Sequence, residues 1–206
     1  ECYNRDSVVI HPPVDTDYYC PAPVPREDYY LAMSAFAPYK RFDLAIEACN
    51  QLRRPLVVIG SGQDEKRLRA LAGPTIQFLG WQPDEAVRDH LRRCQALLFP
   101  GEEDFGIVPV EAQACGTPVI AFGRGGALDT VRPLGEVIRP TGLLFAEQTV
   151  ACLAAAIEQF ERRCGDFDVN VMRQHALDFA QPRFEREVFR HIASVLDAKK
   201  ASLRAA

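Results

Sequence analysis

The most constraining feature of this chain is a regular alternation that begins at Tyr29: a short apolar run, a Gly or Pro break, and then an amphipathic stretch. Short runs that are apolar on both faces are typical of parallel strands buried beneath helices. Strands are predicted at residues 30–36, 56–59, 76–79, 96–99 and 118–122, with a sixth short strand at 143–145. The alternation therefore predicts an α/β fold, a Rossmann-like parallel sheet of about six strands flanked by helices.

The chain divides into three parts. Residues 1–28 contain five prolines, which forbid regular helix and strand, so this part is predicted to be an extended linker. Ordered structure is expected to begin after it and to fill residues 29–181. After residue 148 the pattern predicts only two helices, the second opened by Pro182, with a tail in residues 182–206. The apolar face of this last helix, which includes Phe189 and Ile192, is expected to be partly exposed.

The composition is that of a folded domain. The 206 residues are 48% hydrophobic and 25% charged, which excludes disordered, fibrous and fully membrane-embedded classes. A net charge of −4 provides no net positive field for a nucleic-acid backbone, so nucleic acid is not an expected partner. No apolar run approaches the ~18 residues of a membrane span, and the first residues are not a signal peptide. The missing initiator Met suggests a piece of a longer chain.

The seven cysteines are odd in number and include no C-x-x-C pair, which fits neither a disulfide framework nor a zinc site. Those at positions 49, 94, 115 and 152 lie among apolar residues and are predicted to be buried thiols, which favours the reducing cytoplasm. The four histidines do not cluster. Asp15-Thr16-Asp17 lies in the Pro-rich part, where a turn or cap is favoured over a divalent-metal clamp. No metal site is therefore predicted.

Several predicted strands end at or near a glycine, at positions 60, 80, 101 and 123, and these glycines mark the carboxyl edge of the sheet. Ligands of open α/β sheets bind along that edge. The candidate site should therefore be built from the loops near residues 34–40, 60–63, 80–82, 101–107 and 123–126.

The segment 101–112 carries most of the candidate chemistry. Its proline fits the first turn of a helix, so Gly106 and Ile107 would stand at the N-terminus with free amides that attract an anion. Glu103 would lie in the preceding loop and Glu111 inside the helix. Two carboxylates beside an anion are repulsive unless they accept hydrogen bonds from neutral hydroxyls, such as those of a sugar and a ribose. Alternatively, the acidic loop residues favour the helix dipole and face solvent.

Two further features point to the same edge. Gly60-Ser61-Gly62 follows a predicted strand, and its glycines would let the backbone approach a diphosphate closely. Glu65 occupies the third glycine position of a dinucleotide fingerprint, so a nicotinamide site is a poor fit, and no Walker motif occurs. Lys40 follows the first strand, where its ammonium would reach the edge and neutralise phosphate charge. The alternative is a solvated lysine beside the arginine that follows it.

The spacing of Glu103 and Glu111, around an acidic-Phe-Gly-aliphatic core, resembles the motif of the retaining glycosyltransferases of family 4, which have the GT-B fold of two Rossmann domains. The resemblance runs from about residue 9 to residue 197. Segment 99–106 is most similar to bacterial mannosyltransferases of surface polysaccharide synthesis. Four other stretches agree with the family: Pro12-Pro13-Val14-Asp15, Ala37-Pro38-Tyr39-Lys40-Arg41, Gly60-Ser61-Gly62 and Gly116-Thr117-Pro118-Val119-Ile120-Ala121.

The resemblance implies that this chain is the C-terminal, donor-binding half of a GT-B enzyme. Residues 29–181 would be the nucleotide-sugar-binding domain, residues 1–28 the interdomain linker, and residues 182–206 a crossing helix and tail. By motif position, the catalytic residues would be Glu103, which would contact sugar hydroxyls, and Lys40, which would hold the diphosphate. The donor-binding residues would be Phe105, Gly106 and Ile107 along the sugar and phosphates, Glu111 at the ribose, Gly60, Ser61 and Gly62 at the diphosphate, and Gly80, Trp81 and Gln82 at the base.

The implied reaction is the transfer of a hexose from a GDP- or UDP-linked donor to a glycan or lipid-linked acceptor, without a metal or other cofactor. Mannose from GDP-mannose is one candidate. The implied partners are the donor and a missing N-terminal acceptor domain, through which alone a peripheral membrane contact would be made. The implied location is the cytoplasm, with the inner face of the membrane as a candidate, and the fragment alone is expected to be inactive.

One position departs from the family: Ala35 stands where an arginine is usual. The change removes a charge-assisted contact with the leaving diphosphate, of about 1.5–3 kcal/mol. It supports an alternative function, a non-catalytic nucleotide-sugar-binding module. Restoring the arginine in a full-length protein separates the two, because an enzyme would gain donor binding with turnover and a module would gain binding alone.

Overall fold

The computed structural model describes residues 7–205, which form a six-stranded parallel sheet with helices on both faces. The strands are β1 (Tyr30–Met33), β2 (Leu56–Ile59), β3 (Ile76–Gly80), β4 (Leu97–Phe99), β5 (Val119–Phe122) and β6 (Gly142–Phe145). The helices are α1 (Phe42–Leu52), α2 (Glu65–Leu71), α3 (Asp84–Arg93), α4 (Ile107–Ala114), α5 (Ala127–Thr130), α6 (Val150–Arg163), α7 (Val169–Leu177) and α8 (Gln181–Ala205), with 3₁₀ turns at Pro38–Lys40 and Cys164–Asp166.

The strand order is β3-β2-β1-β4-β5-β6. Strand β1 pairs with β2 on one side and with β4 on the other, so the direction of winding reverses between β1 and β4. The loops that leave these two strands diverge to opposite faces and open a crevice at the carboxyl edge. The predicted fold class is confirmed.

Both faces of the sheet are covered, which explains why the strands other than the edge strand β3 are apolar at every position. Leu98 belongs to the core that α1 and α6 cover, whereas its neighbour Leu97 belongs to the core beneath α3, α4 and α7. The two side chains are 1% and 0% exposed. Because side chains alternate along a strand, a strand covered on both sides must be apolar in both registers.

The first predicted strand is too long, since β1 ends at Met33 rather than at residue 36. Phe36 is buried, but its backbone N–H donates to the Ser61 carbonyl in the loop after β2 at 2.9 Å. The chain thus leaves the sheet to join a neighbouring loop. An apolar residue that packs in the core from a loop looks the same in sequence as one in a strand.

The N-terminal strap, residues 7–28, contains no helix or extended strand, as its prolines predict, but it makes a turn after Asp15. The expectation that ordered structure begins only at residue 29 is wrong. Val14 and Tyr19 are buried against the core beneath α4 and α7. Arg26 donates to the Cys94 and Gly116 carbonyls and to Thr117. Hydrogen bonds from a side chain to distant carbonyls hold the strap where its own backbone makes no regular ladder.

The C-terminal part contains a helix that the sequence analysis missed. Asp168 caps the N-terminus of helix α7, where its carboxylate accepts the Asn170 N–H at 2.7 Å, and the short apolar stripe of the helix packs against α4. Helix α8 begins one residue before Pro182. Its apolar face is partly exposed as expected, with Phe189 70% and Ile192 48% exposed.

Three of the four thiols predicted to be buried are buried: Cys49, Cys94 and Cys115. Burial raises the pKa of each to about 12, so they remain protonated thiols. Cys152 is only half-buried, because it lies near the exposed start of α6. Cys2 lies outside the described residues.

Candidate functional site

The crevice at the reversal of strand order brings together two predicted site residues. Lys40 closes the 3₁₀ turn after β1, and Glu103 lies in the loop between β4 and α4. The Lys40 ammonium donates a charged hydrogen bond to a Glu103 carboxylate oxygen, and the two side chains are only 12% and 21% exposed. Lys40 therefore lies at the predicted edge, and the alternative of a solvated lysine is wrong.

A glycine lets the two loops approach each other closely. A Cβ atom on Gly101 would lie 2.9 Å from the Lys40 Cα and 3.0 Å from the Tyr39 carbonyl oxygen, closer than a side chain tolerates. Arg41, which follows Lys40, has a left-handed backbone with φ 53° and turns the chain at once into α1. The glycine and the sharp turn hold the Lys40 backbone against the Glu103 loop.

The loop after β5 supports the Glu103 loop from a second side. The Gly126 N–H donates to the Glu103 carbonyl at 2.7 Å. A Cβ atom on Gly126 would lie well inside 3.0 Å of the Phe105 Cα, and one on Gly125 equally close to the Glu103 carbonyl oxygen. The sequence predicts this loop at the site, but without a reason for its paired glycines. Close backbone contact is that reason.

Helix α4 begins at the crevice. Gly106 is its N-cap with φ 82°, a conformation that favours glycine, and Ile107 is 45% exposed. The first N–H groups of a helix have no partner within it and carry a partial positive charge. Gly106 and Ile107 thus stand at a helix N-terminus as predicted, one residue after Phe105.

Glu111 lies about one turn into α4, beside Tyr19 of the strap. Burial, and next the negative charge of Asp84, raise the pKa of Glu111 from 4.5 to about 7, while its interaction with the Tyr19 phenol opposes the rise. The contact with Tyr19 is not predicted from the sequence, because the prolines of the strap indicate only a linker. At neutral pH the carboxyl is poised between its protonated and ionised forms.

Glu111 should make the stability of the chain depend on pH. Because its pKa is higher in the folded state, the folded chain holds a proton between about pH 4.5 and pH 7 that the unfolded chain releases, so stability falls as pH rises through this window. Glu111→Gln cannot ionise and should flatten this slope, leaving the chain more stable at pH 8 by on the order of 2 kcal/mol. Urea unfolding between pH 5 and pH 8 measures the slope, with Glu158→Gln on the exposed face of α6 as the control; an unchanged slope in Glu111→Gln would contradict the expectation.

The Gly60-Ser61-Gly62 loop also reaches the edge, but its glycines are explained by loop packing. Gly60 and Gly62 have φ of 136° and 157°. A Cβ atom on Gly60 would lie well inside 3.0 Å of the Ser34 carbonyl oxygen, and one on Gly62 would lie 2.7 Å from the Phe36 carbonyl oxygen. These contacts join the loops after β1 and β2, which the sequence analysis did not foresee.

The predicted base-contacting residues follow β3 at the same edge. Gly80 has φ 68° and its carbonyl accepts the Gly60 N–H at 2.9 Å, so this turn is tied to the neighbouring loop. The Trp81 side chain is 74% exposed, and the Gln82 amide donates back to the Leu79 carbonyl at 2.9 Å. The backbone turn is therefore well held, while the indole is open to solvent.

Other candidate features do not contribute chemistry at this edge. The Asp15 carboxylate accepts the Tyr18 N–H at 2.9 Å, which confirms the predicted turn. Within residues 7–205, no group of three His, Cys, Asp or Glu side chains is placed to hold a metal ion. In the same part of the chain, no helix has the length and apolar character needed to cross a membrane. A cavity of about 510 Å³ lies elsewhere, between the loop before β6 and the start of α7, and includes none of the predicted site residues.

The fold is an open α/β domain, and Lys40, Glu103 and the N-terminus of α4 lie at the carboxyl edge where its strand order reverses. The chain belongs to the family described as "Glycosyl transferases group 1", whose model matches residues 22–165. The resemblance noted from the sequence is confirmed at the level of the family and the GT-B fold.

Two curated relatives agree with this assignment. D-inositol 3-phosphate glycosyltransferase of Mycobacteroides abscessus is 30% identical over 194 residues, which cover 84% of this chain and 43% of that protein. A GDP-mannose-dependent monoacylated alpha-(1-6)-phosphatidylinositol monomannoside mannosyltransferase of Corynebacterium glutamicum is 37% identical over 116 residues, 48% of this chain and 30% of that protein. The chain thus spans less than half the length of these relatives.

Solved structures show the same fold. HepE of Anabaena, determined in complex with UDP and glucose, has a TM-score of 0.76 at 20% identity, covering 91% of this chain and 56% of HepE. Sucrose-phosphate synthase from Thermosynechococcus elongatus has a TM-score of 0.78 at 21% identity, covering 92% and 52%. At such low identity the likeness concerns the fold.

Proposed function

We propose that this chain binds a nucleotide-diphosphate hexose in the β1/β4 crevice, as the donor-binding half of a retaining glycosyltransferase. The observation that carries the proposal is the Lys40–Glu103 ion pair at the switch point, beside the N-terminus of α4. A diphosphate requires a cation and free amides, and a sugar requires an acceptor for its hydroxyl protons. The crevice offers both within two adjoining loops.

Lys40 is proposed to hold the diphosphate. Ala35 is exposed and uncharged, and the Arg41 guanidinium is turned to the Asp43 carboxylate at 3.2 Å, so Lys40 is the cation that this loop directs at Glu103. Because the Lys40 and Glu103 side chains are mostly covered, the Lys40 charge is screened less than in water. As the bond to the sugar breaks, the charge that grows on the diphosphate would be stabilised by Lys40 and the α4 N-terminus.

Glu103 is proposed to receive the sugar. In the free chain its carboxylate is neutralised by Lys40, which keeps two opposite charges paired in a half-buried place. A diphosphate that takes the Lys40 hydrogen bonds leaves Glu103 without its partner, and hydroxyls of the sugar can then donate to the carboxylate. The phosphates and the sugar would thus be engaged together, while Phe105, Gly106 and Ile107 line their path.

Glu111 is proposed to bind the ribose, and Gly80, Trp81 and Gln82 the base. Hydrogen bonds from ribose hydroxyls favour the ionised carboxyl, so donor binding should lower the pKa of Glu111 from about 7. The exposed indole of Trp81 offers a face on which a base can stack. The Gly60-Ser61-Gly62 backbone is proposed to lie along the diphosphate.

The complete protein is proposed to transfer the hexose to a glycan or lipid-linked acceptor that the rest of the chain binds. The lengths of the relatives support a second domain, since this chain covers 43% of one and 56% of another. GDP-mannose is the first donor candidate because a relative is named GDP-mannose-dependent; UDP-glucose is the second, because HepE was solved with it. We place the enzyme in the cytoplasm, at the inner face of the membrane, in surface polysaccharide synthesis.

The test is calorimetric titration of the chain with UDP, GDP, UDP-glucose and GDP-mannose. The nucleotides of one base, uracil or guanine, should bind saturably. Glu111→Ala should weaken that binding about 10-fold to 100-fold, the loss expected for hydrogen bonds to a charged group. The matched control is Glu158→Ala, a glutamate exposed on α6. Absence of binding by every nucleotide, or equal affinity of the Glu111→Ala and control variants, would contradict the proposed site.

A further inference from the structure

Three aromatic rings from distant parts of the chain meet at the outer side of the Glu103 loop. The His11 ring stacks on Phe105 with centroids 5.3 Å apart and planes 27° apart. Phe179, between α7 and α8, lies 5.5 Å from Phe105 and 5.8 Å from His11. We call these three rings the aromatic clamp; Phe105 is its member within the loop, two residues after Glu103.

The other two members are fixed to the core. Phe179 is 5% exposed, and its carbonyl accepts the Val14 N–H at 2.9 Å, which ties the strap to the turn before α8. The Arg173 guanidinium donates to the Thr16 and Tyr19 carbonyls at 2.5 and 2.8 Å. His11 therefore stands on a segment held by hydrogen bonds only a few residues away, and its ring cannot follow Phe105 freely.

The Glu103 loop needs such support. It carries three consecutive acidic residues, Glu102, Glu103 and Asp104, whose mutual repulsion favours an open loop. On its inner side the loop is held by the Gly126 N–H and by Lys40. On its outer side the aromatic clamp holds it.

We propose that His11 is a positioning residue: by stacking on Phe105 it holds the Glu103 loop in the geometry that receives the donor sugar. The part that concerns the sugar rests on the proposed function, whereas the part that concerns the loop does not. Through this stacking, the position of the strap is coupled to the position of Glu103.

The first test follows the loop without any ligand, by amide hydrogen exchange of the free chain. His11→Ala should speed exchange of the Gly126 N–H, which donates to the Glu103 carbonyl, about threefold to tenfold, the effect of losing one ordinary aromatic pair. His11→Phe, which retains a stacking ring, should restore the rate to within about twofold of the unmodified chain. Phe189→Ala, at an aromatic ring of α8 that is 70% exposed, is the control. Unchanged exchange in His11→Ala would overturn the proposal.

The second test compares a nucleotide sugar with its nucleoside diphosphate by calorimetry, using GDP-mannose against GDP and UDP-glucose against UDP. His11→Ala should lose about threefold to tenfold in affinity for the sugar nucleotide and less than about twofold for the diphosphate, with rescue by His11→Phe. Equal losses for both ligands would indicate a merely structural role and would overturn the proposal. If the unmodified chain binds none of them, the proposed function fails, and the exchange experiment alone decides whether His11 holds the loop.

Discussion

Replacing Lys40 with alanine is expected to weaken the binding of a nucleotide sugar by about 100-fold, which corresponds to about 2.7 kcal/mol. Two losses combine in this variant. The charge-assisted hydrogen bond to the diphosphate disappears, and Glu103, now unpaired, places a negative charge beside the phosphates. Calorimetry with the nucleotide that the unmodified chain binds measures the effect.

A double variant separates the two losses. Lys40→Ala combined with Glu103→Ala removes the repelling carboxylate as well, so it should bind the nucleoside diphosphate more tightly than Lys40→Ala alone. Lys66→Ala, at an exposed lysine of α2, is the control for a lost positive charge. A Lys40→Ala variant that binds the nucleotide sugar within about twofold of the unmodified chain would show that the pair does not hold the donor.

Gly60→Ala is expected to destabilise the fold by about 3 kcal/mol or more. The backbone at this position has φ 136°, which an alanine rarely adopts. The added methyl group would also collide with the Ser34 carbonyl oxygen, which belongs to the backbone and cannot turn aside. The unfavourable φ and the collision arise at the same residue, so a backbone shift that relieves one does not relieve the other.

Denaturant unfolding measures this loss of stability, with Gly165→Ala as the matched control. A Cβ atom on Gly165 meets no neighbour within 4 Å, and its φ lies outside the positive range. This control should change stability by less than about 1 kcal/mol. A Gly60→Ala chain as stable as the control would mean that the loops after β1 and β2 can separate at little cost.

The parts of the fold that follow from local pattern could be predicted. Runs such as 56–59 and 96–99 are apolar in both registers because both faces of the sheet are covered. The predicted end of the first strand is wrong because Phe36 is apolar and buried, yet belongs to a loop and not to the sheet. Helix α7 escaped notice because its buried stripe is short and includes His175.

The candidate site shows the same division. The spacing of Glu103 and Glu111 about a helix N-terminus is local, and the structure places one before α4 and the other within it. The partner of Glu103 is not local, since Lys40 lies 63 positions away. Tyr19, which lies beside Glu111 and affects its pKa, comes from a segment whose prolines alone indicated a linker.

The amino-acid sequence by itself determined the α/β class, the carboxyl edge as the place of the candidate site, and the family to which the chain belongs, because periodicity and motif spacing are properties of neighbouring residues. The tertiary structure alone decided that Lys40 pairs with Glu103, that glycines join the edge loops, and that the strap brings His11 onto Phe105. These contacts depend on the strand order β2-β1-β4-β5, which places loops from distant positions side by side. Hydrophobic periodicity specifies which residues are buried, but it does not specify which strand lies next to which.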